Sequence, residues 1–372
     1  MQDQPIKICF VSLNAYPLFD ESIAGIQGGA EVDTYMIATE LAQDDRFDVH
    51  FITTDFGQPD IVTFENIKIY KTVRLKAPVR SVLSIWKTLK KTDCDIYFKK
   101  GASLITAMVA LFCQFHHKFF ILRTSSKSEC DGGYIRSQLF KGKAYKWVLK
   151  TARCVFVQNT QDCDSLIKTI DKQPIAIPNG HRINCSSDLE RKWILWVGRS
   201  IELKKPELFI KLAEEFPSEQ FVMICQKVKG DQYINKPVKQ EALMAKIDTL
   251  RNIRYIDHVP FHQIDAYFEQ SKVFVNTSTF EGFPNTFIQA CKCKTPILSF
   301  KVNPDDFLDL HRCGMCAKGD WQSFKTMLTR IQEPENRKYY GENGYQYVAQ
   351  NHDIKKIIEK YKTILFQITR IK

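Results

Sequence analysis

The side chains best suited to chemistry stand in one run, "NTSTFEGFPNTFIQA", from Asn276 to Ala290. The "KVFVN" that leads into it is rich in Val and Phe and reads as a buried strand, while "PNTFIQACK" from Pro284 reads as a helix with proline in its first turn. The cluster is then a strand-to-helix loop. A helix start leaves unpaired N–H groups and a partial positive charge of about half a unit, which favour a phosphate or carboxylate. Glu281 can accept hydrogen bonds from hydroxyls, Gly282 lets a ligand come close to the backbone, and Asn285 and Thr286 add short polar groups. An anionic, hydroxyl-rich ligand suits this loop, although Asn and Thr also serve simply as helix caps.

Two further runs have the same strand-to-helix setting. In "WVGRSIELKKPE", Trp196 to Glu207, Arg199 and Lys204 lead from a strand end to a helix start, where two cations can neutralise a diphosphate or stand as ordinary surface charges. In "GIQGGAE", Gly25 to Glu31, a glycine-rich turn opens a helix after the first strand. It suits close approach of a phosphate or sugar but lacks the full dinucleotide fingerprint.

The elements that must position these residues alternate along the chain. "IKICFVSL", "FDVHFITT", "CDIYFK", "KFFIL" and "RCVFVQ" read as buried strands, with helical runs such as "GAEVDTYMIATELAQ" and "YKWVLK" between them. After "PIAIPNGHRI" the pattern starts again with "WILWVG", "QFVMIC", "IRYI", "KVFVN" and "TPILSF". This predicts an α/β protein of two Rossmann-like parallel-sheet domains, divided at the Pro-Asn-Gly turn, with ligands at the carboxyl ends of the strands in a cleft between them.

Composition narrows the class. The chain has 372 residues, 44% hydrophobic and 26% charged, and is long enough for two full cores. The longest apolar stretch, Leu104 to Phe115, is too short to span a bilayer, and the polar start does not read as a signal peptide, so a cytosolic protein is expected. Most of the twelve cysteines sit singly in apolar runs, as small core residues do in a reducing compartment. Cys291, Cys293, Cys313 and Cys316 could offer four thiolates to zinc, but the first pair falls on different sides of a helix, and no metal is expected. The net charge of +11 is uneven: residues 1–67 hold 2 basic and 12 acidic residues, and residues 68–172 hold 21 and 7. No nucleic-acid motif accompanies this basic face, so an anionic membrane surface is the expected partner, with a plain solvated face as the alternative.

With "GGAEV", "IPNG", "VGR" followed by a lysine five residues on, and "EGFPNTFIQA" in that order, the chain resembles the retaining glycosyltransferases of family 4, which have the GT-B fold. The resemblance implies a nucleotide-sugar donor, a glycan or lipid-linked glycan acceptor, retention of configuration and no metal or other cofactor. It implies that Arg199 and Lys204 contact the donor diphosphate and that Glu281 acts at the donor sugar, these three being the catalytic set. Donor contacts are implied at Gly28, Gly29, Gly282, Phe283, Asn285, Thr286 and Gln289. Gln289 stands where the family has a second glutamate for the ribose, and its amide oxygen can still accept a hydrogen bond, without charge. Arg123 stands in "FFILRTSS" where many members carry a histidine, and is expected to meet a phosphate or an acceptor anion. His116 and His117 are expected to end a helix. The domains implied are 1–180 for the acceptor and 181–350 for the donor, with a C-terminal helix at 351–372 packing back toward the first. A cytoplasmic, membrane-peripheral hexosyltransferase follows, against two alternatives: a catalytically weak binding or scaffold protein, and another enzyme of the fold such as a nucleotide-sugar epimerase or a sugar phosphorylase.

Overall fold

A computed structural model describes residues 4–23, 25, 28–73, 78–184, 189–227, 238 and 240–370. The chain divides into two α/β units, one running to Gly180 and resumed from Ile354, the other spanning His181–Asp353. In the first unit, strands β1 (Ile6–Val11), β2 (Phe47–Thr54), β3 (Ile61–Phe64), β4 (Ile67–Thr72), β5 (Ile96–Lys100), β6 (Phe119–Arg123), β7 (Cys154–Val157) and β8 (Ile175–Ala176) form one sheet in the order β3-β4-β2-β1-β5-β6-β7-β8. Every pair is parallel except the edge pair β3 and β4. Strands β1 and β7 are nearly continuous apolar runs because parallel strands covered on both faces have no wet side.

The helices of this unit are α1 (Gly29–Leu41), α2 (Pro78–Thr92), α3 (Leu104–Phe115), α4 (Lys127–Cys130), α5 (Gly133–Ser137), α6 (Leu139–Thr151) and α7 (Thr160–Ile170). Ser103 opens α3 by accepting from the Thr106 N–H at 3.1 Å, and Asn159 opens α7 by accepting from the Asp162 N–H at 2.7 Å. His116 closes α3 through its N–H to the Phe112 carbonyl, and His117 follows in the left-handed region at φ 54°. Ile85, Leu89, Val109, Phe112, Tyr145, Val148 and Leu166, from α2, α3, α6 and α7, share one core cluster under the sheet.

In the second unit, β9 (Trp193–Arg199), β10 (Phe221–Gln226), β11 (Ile253–Ile256), β12 (Ser271–Asn276), β13 (Ile297–Ser299) and β14 (Gly314–Cys316) form an all-parallel sheet in the order β11-β10-β9-β12-β13-β14. The chain runs outward from β9 to β11 and then returns to the other side of β9, so the carboxyl ends of β9 and β12 form a topological switch point. Helices α8 (Pro206–Glu215), α9 (Gln240–Ile247), α10 (Ile264–Glu269), α11 (Asn285–Lys292), α12 (Phe307–Leu310), α13 (Trp321–Ile331) and α14 (Pro334–Asn351) surround the sheet, and α15 (Ile354–Arg370) belongs to the first unit. At the opposite end of the strands, the Arg191 guanidinium donates to the carbonyls of Phe268, Ser271 and Cys293 at 3.1, 3.0 and 2.8 Å, tying the starts of three strands together. Cys291, Cys293, Cys313 and Cys316 take core positions beside Phe287 and Leu308. Among the described residues no helix is long and apolar enough to cross a membrane.

Candidate functional site

The loops that leave β9 and β12 at the switch point are stitched together by backbone and side-chain bonds. The Thr277 hydroxyl, which accepts from the Trp196 indole at 2.8 Å, donates to the Lys204 carbonyl at 2.7 Å. The Thr279 N–H donates to the Leu203 carbonyl at 3.0 Å. These bonds hold two polar side chains against each other although 77 residues separate them: the Lys204 ammonium lies 2.6 Å from a Glu281 carboxylate oxygen. The other Glu281 oxygen accepts from the Asn276 amide at 2.9 Å. Burial alone would raise the Glu281 carboxyl, but the Lys204 charge and hydrogen bonds from Lys204, Ser278 and Asn276 more than offset it, so the group is held below its ordinary range. The result is an ionised carboxylate with both oxygens aimed, beside a fixed ammonium.

Arg199 ends β9, half-buried, opposite Gln226 of β10. Among the described residues no carboxylate pairs with its guanidinium, unlike the ammonium of Lys204. Gly282 follows Glu281, and among the described residues a Cβ placed there would meet no atom within 4 Å beyond its chain neighbours. Space is therefore open on that side of Gly282. Asn285, Thr286 and Gln289 share one face of α11 at three- and four-residue spacing, and Gln289 is buried with a small exposed fraction. The structure thus brings Lys204, Glu281 and Gly282 together and sets Arg199 and the α11 face at the same end of the sheet.

The other four expected residues have settings of their own. Phe283 turns its ring into the core of the second unit, 5.1 Å from the Phe307 ring and 5.0 Å from His352, so its side chain packs. Gly28 and Gly29 open α1 in the first unit, where the Gly28 N–H already donates to the Glu31 carboxylate at 3.0 Å; Ile26 and Gln27 of the same motif lie outside the described residues. Arg123 is a correction. It is fully buried, with its Nε 2.6 Å from Asp33, Nη1 2.9 Å from the Ile177 carbonyl and Nη2 2.7 Å from the Asn179 side-chain oxygen. Lys100 Nζ shares the same Asp33 oxygen at 2.7 Å. Burial would raise the Asp33 carboxyl, and Arg123 and Lys100 instead hold it below its usual value. Arg123 knits α1 to the sheet and presents no surface to an acceptor.

Sequence reading missed Asn276, whose amide holds Glu281 while its oxygen accepts from the Ser278 N–H at 3.1 Å. Its signal was a polar residue at the last position of an apolar strand. It also missed a polar chain at the ends of β9, β10 and β11. There the Ser200 hydroxyl donates to Gln240 at 3.0 Å, Gln240 donates to the Tyr255 hydroxyl at 2.9 Å, and Gln226 meets His258 at 3.3 Å.

This arrangement, cations and a carboxylate at the switch point of a 3-2-1-4-5-6 sheet, is what a phosphorylated, hydroxyl-bearing ligand needs. Residues 182–347 match the family model of glycosyl transferases group 1. Two uncharacterized glycosyltransferases of Methanocaldococcus jannaschii are similar to the chain. One is 23% identical over 60% of this chain and 65% of its own length, and the other is 21% identical over 91% and 94%. The matched stretch therefore spans a little under two thirds of the first. Among solved structures, the sucrose-phosphate synthase of Thermosynechococcus elongatus superposes with a TM-score of 0.78 at 16% identity, covering 99% of this chain and 100% of that one. The pneumococcal O-GlcNAc transferase GtfA, solved with UDP and GlcNAc, gives 0.71 at 12% identity over 98% and 99%. The fold is that of the GT-B glycosyltransferases.

Proposed function

We propose that the protein is a glycosyltransferase that moves a sugar, of the hexose class, from a nucleoside-diphosphate donor to a glycan or lipid-linked glycan with retention of configuration. The observation that carries this reading is the Lys204–Glu281 pair at the switch point of β9 and β12, within the stretch that matches the glycosyltransferase family model. Arg199 and Lys204 neutralise the diphosphate as it leaves, a task for which no divalent ion is then required. Glu281 keeps Lys204 in place before the donor arrives and aligns the sugar hydroxyls afterwards. The open space at Gly282 admits the sugar, and Gln289 and its neighbours on α11 meet the ribose. The acceptor places the enzyme at the cytoplasmic face of an anionic membrane, in keeping with the basic stretch of the first unit. A second reading, a catalytically weak donor-binding protein, is favoured by Gln289 alone, since Arg123 no longer bears on it.

The test is thermal shift with UDP, GDP and ADP and their sugars. A donor at about a hundred times its dissociation constant stabilises by roughly 2.7 kcal/mol. Arg199→Ala and Lys204→Ala should each weaken diphosphate binding about tenfold or more, because a hydrogen bond to a charged group is worth about 1.5–3 kcal/mol. Unchanged affinity in both variants removes the reading, and donor binding without hydrolysis or transfer favours the second.

A further inference from the structure

Helix α3 is apolar almost all round, which ordinarily marks a helix buried on every side. Here only one side is covered. Val109, Phe112 and Cys113 enter the core, whereas Leu104, Leu111 and Phe115 are exposed and Met108 is half-buried, a stripe at the spacing i, i+4, i+7, i+11 along the outer face. Phe115 is 73% exposed. On one flank, α3 packs against α6, whose outer face at the same spacing reads Leu139, Lys143, Lys146 and Lys150, all exposed, with Leu139 at 87% and its neighbour Phe140 at 77%. On the other flank it packs against α2, whose exposed positions include Leu83, Lys87, Lys90 and Lys91. The three helices together contain no Asp or Glu.

An apolar stripe bordered on both sides by cations has one fitting occupant. We propose that the α2–α3–α6 face docks onto an anionic phospholipid bilayer, with Leu111, Phe115, Leu139 and Phe140 entering the headgroup boundary and the lysines of α2 and α6 meeting lipid phosphates. This deepens the reading of the protein as membrane-peripheral and rests on it, while the donor chemistry lies in the other unit and does not enter the argument. A nucleic acid satisfies the lysines but leaves the α3 stripe against a charged backbone. A second copy covers the stripe but sets lysines against lysines. Of these three, the bilayer alone matches both features.

The experiment is co-sedimentation of the full chain with phosphatidylcholine vesicles, pure or with about one-third phosphatidylglycerol, over a range of salt. The parent should bind the anionic vesicles at low salt, release as salt rises, and bind pure phosphatidylcholine weakly. The triple variant Lys143→Glu, Lys146→Glu, Lys150→Glu should lower partitioning on the order of 100-fold and flatten the salt dependence. The double variant Leu111→Ser, Phe115→Ser should lower it about tenfold or more while leaving the salt slope intact. All five positions are exposed, so melting temperature and UDP binding should stay at parental values. The proposal is overturned if the parent ignores anionic vesicles at low salt, if the serine variant binds as the parent does, or if sedimentation finds a dimer that the serine variant loses. Nucleotide binding without vesicle binding removes this proposal alone; vesicle binding without nucleotide binding supports it and removes only the donor reading.

Discussion

Glu281 has two duties that a single substitution separates. Its charge fixes the Lys204 ammonium at 2.6 Å, and its second oxygen is oriented by Asn276 at 2.9 Å. Glu281→Gln keeps the shape and an acceptor but removes the charge, so if Glu281 acts at the donor sugar as proposed, turnover should fall on the order of 100-fold while donor affinity changes far less, as for an interaction made chiefly in the transition state. If Gln289 meets the ribose as proposed, Gln289→Leu should do the reverse, weakening donor binding by leaving ribose hydroxyls without a partner and sparing the Lys204–Glu281 pair. Donor dissociation constants and turnover numbers for both variants check this; full turnover in Glu281→Gln sinks the assigned role. The same carboxylate carries a pH signature. Its folded value is depressed below the ordinary 4.5, so its contribution to stability is present above that value and is lost as pH falls through the folded one. Melting temperature should fall more steeply on the acid side in the parent than in Glu281→Gln.

At the scale of elements, the buried cluster of Asp33, Lys100 and Arg123 ties α1 to β5 and β6. Arg123→Met leaves Asp33 to Lys100 alone and strips the buried Ile177 carbonyl and Asn179 oxygen of a donor, so it should destabilise the first unit by about 1–3 kcal/mol for each stranded acceptor, measured by denaturant unfolding. An acceptor contact would instead leave stability intact and raise the acceptor KM. This residue also marks where sequence stops being readable. An arginine at a strand end resembles a ligand contact, and its true partner lies 90 residues away on another element, a pairing that only the fold creates. Lys204 and Glu281 were legible because each stands at the carboxyl end of a buried apolar strand, although their contact at 2.6 Å was not. The central strands were legible for the same reason, being apolar on both faces. Strands β3 and β4 were not: β3 is a short edge strand with no buried position, and β4 interleaves lysines with its apolar residues. Three-residue β14, "GMC", offers too little pattern to separate from a loop. The outward stripe of α3 was equally hidden, since an apolar run predicts burial without saying which side stays uncovered.

Over the whole molecule, the chain leaves the first unit at Gly180, builds the second, and returns with α15 to complete the first. Helix α15 buries Ile357, Ile358, Tyr361, Leu365 and Ile368 along one stripe. The Tyr361 ring lies 5.0 Å from Phe156, and Lys362 pairs with Asp44 at 2.9 Å. Each such apolar side chain contributes about 1.5–3 kcal/mol on burial, so a chain ending at Asp353 should lose most of the stability of the first unit. The second unit should not follow, because its two core clusters draw nothing from α15 and end at Val348. The truncated chain is therefore expected to show the first unit unfolded or melting far lower in calorimetry while still binding a nucleoside diphosphate, since Arg199, Lys204 and Glu281, the residues proposed to meet the donor, all lie in the second unit. Loss of diphosphate binding together with retention of the second unit's own melting transition would mean that the donor site depends on the first unit. The Lys204–Glu281 pair would then be only part of it.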